Sequence, residues 1–197
     1  MGMLDRLKDF KEDKEVDWTI MKEGKRVQEL YKHYKGNDYA INELHMDMDQ
    51  FNKSALFWFK TDGITAYGQI FCLLNDKEDR RIDPTAQDSF LFEVSLPLPD
   101  DAVWPEQLDD RVLDKDGNLI SFREVGFATS QRIFFIKESD GKRYTSDWFG
   151  KTFHVKKNYP ISIADNPDEA DQALRDFMTY FDGCMHQFSD VLRPMLE

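Results

Sequence analysis

The sequence predicts an α+β fold: an antiparallel sheet of about six to eight strands, with N-terminal helices and a long C-terminal helix packed on it. Two observations indicate these elements. Asp-Gly pairs at 62–63, 116–117 and 140–141 each separate two apolar runs, which is the pattern of tight hairpin turns. Near the carboxyl end, apolar residues recur with a three-four spacing, which is typical of an amphipathic helix.

Length and composition favour one compact domain. The chain has 197 residues and is rich in large aromatic side chains, with 16 Phe, 7 Tyr and 4 Trp. A chain of this size buries about 70 % of the surface that its unfolded form exposes, so a sizeable core is expected. We expect one domain over 1–197 in three parts, namely an N-terminal helical segment over 1–36, a sheet over 39–160 and a C-terminal helix over 166–193.

The N-terminal segment contains two short amphipathic patterns. The first is formed by Met3, Leu4, Leu7 and Phe10, with charged residues between them. The second is formed by Val27, Leu30, Tyr31 and Tyr34, and Gly36 offers a place for that helix to end. Both patterns have the spacing that puts apolar side chains on one helix face.

The strands of the predicted sheet follow from alternating or β-branched and aromatic runs. Leu44, Met46 and Met48 alternate with polar residues, which is the spacing of a strand with one buried face. The further strands are predicted at 55–60, 64–74, 89–96, 111–113, 119–125, 131–137 and 143–155. The polar stretch over 75–88 predicts a loop.

The C-terminal helix has the clearest start signal in the chain. Asn166 can cap it, Pro167 suits its first position, and Glu169 completes a capping box. Pro194 is expected to end it. The stripe that we expect to pack on the sheet consists of Ala170, Leu174, Phe177, Met178, Phe181, Met185, Phe188 and Leu192.

Composition also narrows the class of protein. Cys72 and Cys184 are the two cysteines, too few for a disulfide scaffold, and no C-x-x-C pair is present. No secretory signal pattern begins the chain, and no apolar stretch approaches the ~20 residues that span a bilayer. We therefore expect a soluble cytoplasmic protein without a cofactor. No motif in the sequence assembles a nucleophile, a base and an orienting group.

Charge suggests the leading functional hypothesis, a non-enzymatic acidic binding module that recognises a basic protein partner. The net charge is −12, and residues 99–126 alone carry 8 acidic and 3 basic groups. Acidic surfaces steer basic partners, and a Trp among charged residues is a common binding anchor. An inhibitor, an immunity-type protein or a chaperone-like protein fits this description. The predicted partner-binding residues are Asp100, Asp101, Trp104, Glu106, Asp109 and Asp110.

Two alternatives remain open at the level of sequence. The first is a metal-dependent hydrolase, because His45, Asp47 and Asp49 share one face of a predicted strand and offer imidazole and carboxylate ligands.

The second alternative is a single-stranded nucleic-acid binder. Residues 127–160 carry 7 basic and 3 acidic groups with interleaved aromatics, the combination that contacts phosphates and stacks on bases. The acidity of the rest of the chain opposes this function. The residues concerned are Arg132, Lys142, Arg143, Trp148, Lys151, Lys156 and Lys157.

Overall fold

The computed structural model describes residues 21–34, 43–48, 53–61, 63–75, 77–137 and 143–196. Helices precede and follow a set of antiparallel strands along the chain, so the predicted α+β fold is confirmed. The elements are α1 (21–34), β1 (Glu43–Met48), β2 (Lys53–Thr61), β3 (Ile64–Leu73), α2 (Lys77–Ile82), β4 (Ser89–Pro97), β5 (Arg111–Leu113), β6 (Leu119–Phe122), β7 (Val125–Lys137), β8 (Arg143–Pro160), α3 (Pro167–Gln187) and α4 (Ser189–Leu196).

The strands form one six-stranded sheet in the order β1-β2-β3-β4-β8-β7 and a separate pair, β5-β6. Every pair of neighbouring strands is antiparallel. The strands on either side of each Asp-Gly pair are antiparallel, as predicted, and the pair at 140–141 itself lies outside the described residues. Gly63 and Gly117 have φ angles of 82° and 84°, a conformation that glycine adopts without steric cost.

One strand pairing in the sheet joins segments that are far apart in sequence, and local sequence patterns do not predict it. β4 pairs with β8. The chain between β4 and β7 leaves the sheet and forms the acidic loop (residues 99–110) and the β5–β6 hairpin. The predicted strand over 119–125 is wrong as one unit, because β6 ends at Phe122 and Val125 already belongs to β7. The backbone N–H of Arg123 donates instead to the carbonyl of Asp110, 2.7 Å away, which turns the chain between the two strands.

One face of the sheet forms the main core with the helices. Phe92 on β4 packs against Phe177 of α3, with ring centroids 5.6 Å apart, and against Tyr159 of β8 at 4.8 Å. Helix α1 closes the same core with its predicted apolar stripe. The Tyr34 hydroxyl at its end donates to the carbonyl of Ala170 over 2.8 Å.

The opposite face is also buried in part, and it carries most of the buried polar side chains of the sheet. Its buried polar residues on β3, β4 and β8 are Gln69, Glu93, Ser95, Thr152 and His154. β7 also contacts β2, although three strands lie between them in the sheet, a distance of about 19 Å in a flat sheet. The sheet therefore curls so that β7 approaches β2.

The C-terminal helix begins as predicted and ends differently. The Asn166 side chain accepts a hydrogen bond from the N–H of Asp168, and Pro167 is the first helical residue. The single predicted helix over 166–193 is wrong, because α3 ends at Gln187 and α4 runs on to Leu196 with Pro194 inside it. The break occurs at residue 188, whose carbonyl accepts the N–H groups of residues 191 and 192 and so starts α4. The predicted stripe is buried or half-buried throughout.

Three further expectations can be compared with the structure. The predicted loop over 75–88 contains the short helix α2, and the Asp88 side chain closes it by accepting hydrogen bonds from the N–H of Asn75 and from Arg80. The predicted helix over 3–10 and the stop at Gly36 lie outside the described residues. Among the helices that the structure describes, none has the length and apolarity needed to cross a bilayer.

Candidate functional site

A cleft of about 440 Å³ lies where the acidic loop, the β5–β6 hairpin and the edge of the sheet meet. Its walls come from residues distant in sequence, because β4 pairs with β8 and thereby brings the 99–126 segment beside β7 and β8. The lining residues are Trp104, Asp109, Asp110, Arg111, Phe122, Ala128, Thr129 and Lys156.

Trp104 forms a fixed wall of this cleft. Its ring stacks on the buried ring of Phe127 with centroids 5.5 Å apart and planes 16° apart. Lys151 places its ammonium group 5.8 Å from the centre of the Trp104 ring and donates to the carbonyl of Ala102 over 2.7 Å. Trp104 is consequently half-buried and held from two sides, whereas the neighbouring Val103 is 83 % exposed.

Asp109 and Arg111 form a bidentate ion pair at the rim. The guanidinium donates to the two carboxylate oxygens over 2.9 Å and 3.0 Å, and the N–H of Arg111 donates to the same carboxylate. These hydrogen bonds from Arg111 hold the pKa of Asp109 below its ordinary value. The carboxylate is therefore charged and already engaged, so it is poorly placed to exchange protons with a substrate.

Asp110 anchors the base of the hairpin to the sheet. Its N–H donates to the carbonyl of Phe127 over 2.9 Å, and its own carbonyl accepts the N–H of Arg123. Nε2 of the fully buried His154 lies 3.8 Å from the Asp110 carboxylate and 3.4 Å from the carbonyl of Arg123. The two residues that flank the hairpin thus meet at one buried imidazole.

A glycine on β7 makes this close approach possible. A Cβ atom on Gly126 would lie 3.1 Å from the carbonyl oxygen of Leu108 and 3.2 Å from the Cα of Asp110. Because both neighbours are backbone atoms, a larger side chain would push the 108–110 segment away from the sheet. Gly126 therefore belongs to the architecture of the cleft.

Ser95, His154 and Asp110 include the residue types of a hydrolytic triad. Ser95 lies opposite His154 in the β4–β8 register. Their exposed fractions are 3 %, 0 % and 5 %, so a substrate has no access to the group in this structure. A reacting group must approach its nucleophile and its base closely, and this arrangement serves instead to fasten the hairpin.

The β5–β6 hairpin exposes an unusual amount of apolar surface. Leu113, Leu119, Ile120 and Phe122 are 48 %, 51 %, 65 % and 57 % exposed. Phe122 lines the cleft, and the Lys156 ammonium group lies 5.6 Å from the centre of its ring. Four large apolar side chains are thus exposed on this one two-stranded ribbon, which lies beside the cleft.

The structure brings only part of the predicted patch together. Trp104, Asp109 and Asp110 line the cleft, but the first is held by packing, the second is ion-paired and the third is buried. The other three predicted residues, Asp100, Asp101 and Glu106, are exposed on the loop outside it.

Sequence reasoning missed the apolar half of the surface. The run Leu119–Phe122 has three apolar residues in four, and the sequence predicts it as part of a strand in the main sheet. All four of its residues are exposed, because the ribbon has no second layer over it in the part of the chain that the structure describes. The short strands and the lack of apolar-polar alternation were the available signals.

The alternative metal site is only partly covered by the structure. The predicted strand exists as β1, where His45 pairs with Leu56 and Asp47 with Ser54, and Asp49 lies outside the described residues. Within the described ranges, no three His, Cys, Asp or Glu side chains gather in a way that could hold a metal ion.

The alternative nucleic-acid surface is divided by the strand geometry. Arg132 pairs with Trp148 and Lys137 with Arg143 on the β7–β8 hairpin, and Lys142 lies outside the described residues. The three described lysines do not form one row. Lys151 contacts the Trp104 wall, Lys156 lies over Phe122 on the other face of β8, and Lys157 pairs with Asp176 of α3 over 2.7 Å.

Comparison of the whole chain with protein families, with curated proteins and with solved structures finds no match in any of the three.

Proposed function

We propose that this protein is a non-enzymatic binding module that recognises a basic protein partner through the β5–β6 hairpin and the adjoining cleft. The observation that carries the proposal is the exposure of four large apolar side chains on this one hairpin. A cluster of exposed large apolar side chains with polar residues around it is typical of sites that bind another protein. Exposed aromatic and aliphatic anchors next to a concave surface are also where binding energy concentrates.

The charge around the hairpin supports a basic partner. Residues 99–126 carry a net charge of −5 within a chain of −12. Asp100, Asp101 and Glu106 are exposed, so they contribute to the field that a partner meets as it approaches. We assign steering to these three carboxylates, and contact to the apolar hairpin.

The chemistry of the cleft supports recognition more than catalysis. The described residues that line it include no histidine, cysteine or serine, and its charged rim is neutralised by the Asp109–Arg111 pair. Both cysteines are free and buried, which supports our proposal that the protein works in a reducing compartment such as the cytoplasm. An inhibitor, an immunity-type protein or a chaperone-like protein would use such a surface.

Site-specific photo-crosslinking tests this proposal. A photoreactive amino acid at position 120 on the hairpin is compared with the same residue at position 82 on α2, where the native isoleucine is 75 % exposed. In lysate from the source cells, we expect position 120 to capture one basic protein and position 82 to capture nothing above background. Equal labelling from both positions, or an acidic partner at position 120, would refute the proposal.

Charge reversal separates steering from contact. Asp100→Lys with Asp101→Lys should lower the association rate of the captured partner about tenfold at low salt, and the difference should shrink at high salt. The dissociation rate should change little, because neither side chain is assigned a buried contact. An association rate that does not respond to these substitutions would remove the acidic loop from the proposal.

A further inference from the structure

We propose that the partner contributes an extended segment, which adds to the open edge of β7 beyond Phe127 and lies in the cleft. This inference rests on the proposed function and specifies how that binding occurs. Backbone pairing at an exposed sheet edge is a recurrent way for one protein to hold a segment of another.

The hydrogen bonds around Phe127 fix which backbone groups face outward. β7 lies at one end of the sheet, with β8 on its inner side. Because the Phe127 carbonyl accepts from Asp110, on the outer side, the N–H and C=O of Phe127 both face away from β8. The pattern repeats every second residue, so the N–H and C=O of Thr129 also point outward.

At Phe127, the first position of this edge, the outward backbone already pairs with another segment of the same chain. Asp109 forms a parallel bridge with Phe127, and after Asp110 the chain turns away into β5. The cleft opens where that segment departs, since Ala128 and Thr129 of β7 line it. Thr129 is exposed, and the described structure places no strand outside β7 at this point. A guest strand would therefore continue a pairing that the chain has begun.

The walls of the cleft suit an extended guest. Phe122 and Trp104 provide apolar surface on either side of the open edge, and the Asp109–Arg111 pair and Lys156 are already engaged within the protein. A segment paired to β7 would present alternate side chains to these walls, while its backbone satisfies the outward groups of Thr129. The backbone supplies affinity and the walls supply selectivity.

Charge favours a basic segment of another protein over a second copy of this chain. Two copies would bring together two molecules of net charge −12, whereas a segment rich in Lys or Arg is attracted by the acidic loop beside the cleft. Pairing of β7 with β7 of a second copy is thus the less favourable use of the same edge.

A phage-displayed library of random twelve-residue peptides, selected on the immobilised full-length chain, provides the probe. We expect enrichment of peptides in which basic residues alternate with apolar residues. The enriched peptide is then measured against Thr129→Pro, which removes the outward N–H, and against Thr129→Ala, which keeps it. Proline suits this edge position because no ladder bond to β8 is lost. Thr129→Pro should weaken binding about tenfold and Thr129→Ala less than twofold.

A second measurement keeps the inference falsifiable if the proline variant folds poorly. The enriched peptide is synthesised with single N-methyl groups at successive positions and tested on the wild-type chain. Strand pairing predicts an alternating result, in which N-methylation weakens binding about tenfold at every second residue and has little effect between them.

The outcomes separate this inference from the proposed function. An alternating N-methyl pattern together with the Thr129→Pro loss supports strand addition. Binding that Thr129→Pro leaves intact but Phe122→Ser abolishes overturns strand addition and leaves the hairpin as the binding surface. Enrichment of acidic peptides, or of none above a blank surface, overturns strand addition, and acidic peptides also contradict the basic partner. A dimer in solution that Thr129→Pro dissociates would assign the edge to a second copy and overturn the inference.

Discussion

Trp104→Ala tests whether this residue is a wall of the cleft or a free anchor on the acidic loop. Complete burial of a Trp makes its loss cost about 3–5 kcal/mol, so a half-buried ring contributes about 2 kcal/mol. Its stacked contact with Phe127 adds about 1 kcal/mol, and the nearby Lys151 ammonium group adds about 0.5 kcal/mol. We therefore expect the free energy of unfolding to fall by ~3.5 kcal/mol and Tm to fall by ~7–14 °C.

Denaturation in urea, followed by circular dichroism, measures this loss. Trp104→Phe keeps an aromatic ring against Phe127 and should recover more than half of the stability. Val103→Ala is the matched control, because its side chain is 83 % exposed and its loss should change stability by less than ~0.5 kcal/mol. A fall of less than ~1 kcal/mol for Trp104→Ala would show that the stacked wall is not a structural contact.

Three further predictions concern the core, the thiols and an ion pair. Gly68→Ala should destabilise the protein by ~1–3 kcal/mol, because a Cβ atom there would overlap the buried ring of Phe57. Gly183→Ala meets open space on α3 and should stabilise the protein by ~0.5–1 kcal/mol. Urea denaturation measures both changes in stability, and equal effects of the two substitutions would contradict the packing of Gly68 on Phe57. Cys72 should resist a thiol reagent at about pH 8 until the chain is unfolded, since burial raises its pKa to about 12, and rapid labelling of the native protein would contradict that burial. The pKa of Asp176 lies below its ordinary 3.8, because Lys157 of β8 donates a hydrogen bond to the carboxylate. The carboxylate therefore stabilises the fold fully at pH values above its unfolded-state pKa, and this stabilisation is lost as the pH falls through its folded-state pKa. Asp176→Asn should flatten the acid limb of the stability curve, measured by denaturation at successive pH values, and an unchanged limb would exclude this contribution.

The parts of the fold that could be predicted are those with local causes. The Asp-Gly turns specify hairpins within a few residues, and Gly63 and Gly117 adopt the positive φ that such turns need. The cap at Asn166 likewise acts on the next three residues, so the start of α3 was predictable. The end of that helix was not, because its break at residue 188 coincides with packing of Phe188 on Phe153, a strand residue far away in sequence.

The candidate site depends on contacts between residues that are far apart in sequence, and local sequence patterns do not predict such contacts. Asp109 and Asp110 are adjacent and chemically identical, yet one forms a rim ion pair and the other lies buried beside His154. The difference follows from the bridge between Asp109 and Phe127 of β7, a contact between residues that are not neighbours in sequence. The acidic residues and Trp104 were therefore predicted as a binding patch, but the stacking of Trp104 on Phe127 and the apolar β5–β6 hairpin beside it could not be predicted.

The most direct test of the proposed recognition surface is a pull-down of the tagged protein from lysate of its source cells at moderate salt, with nuclease added. Wild type is compared with the double variant Ile120→Ser, Phe122→Ser and with Ile82→Ser, which removes an isoleucine of α2 that is even more exposed than Ile120. We predict one stoichiometric basic protein with the wild type and with Ile82→Ser, and its loss with the hairpin variant, whose folding is checked by circular dichroism. Retention of the partner by a folded hairpin variant, or equal loss from both variants, would contradict the assignment of this surface.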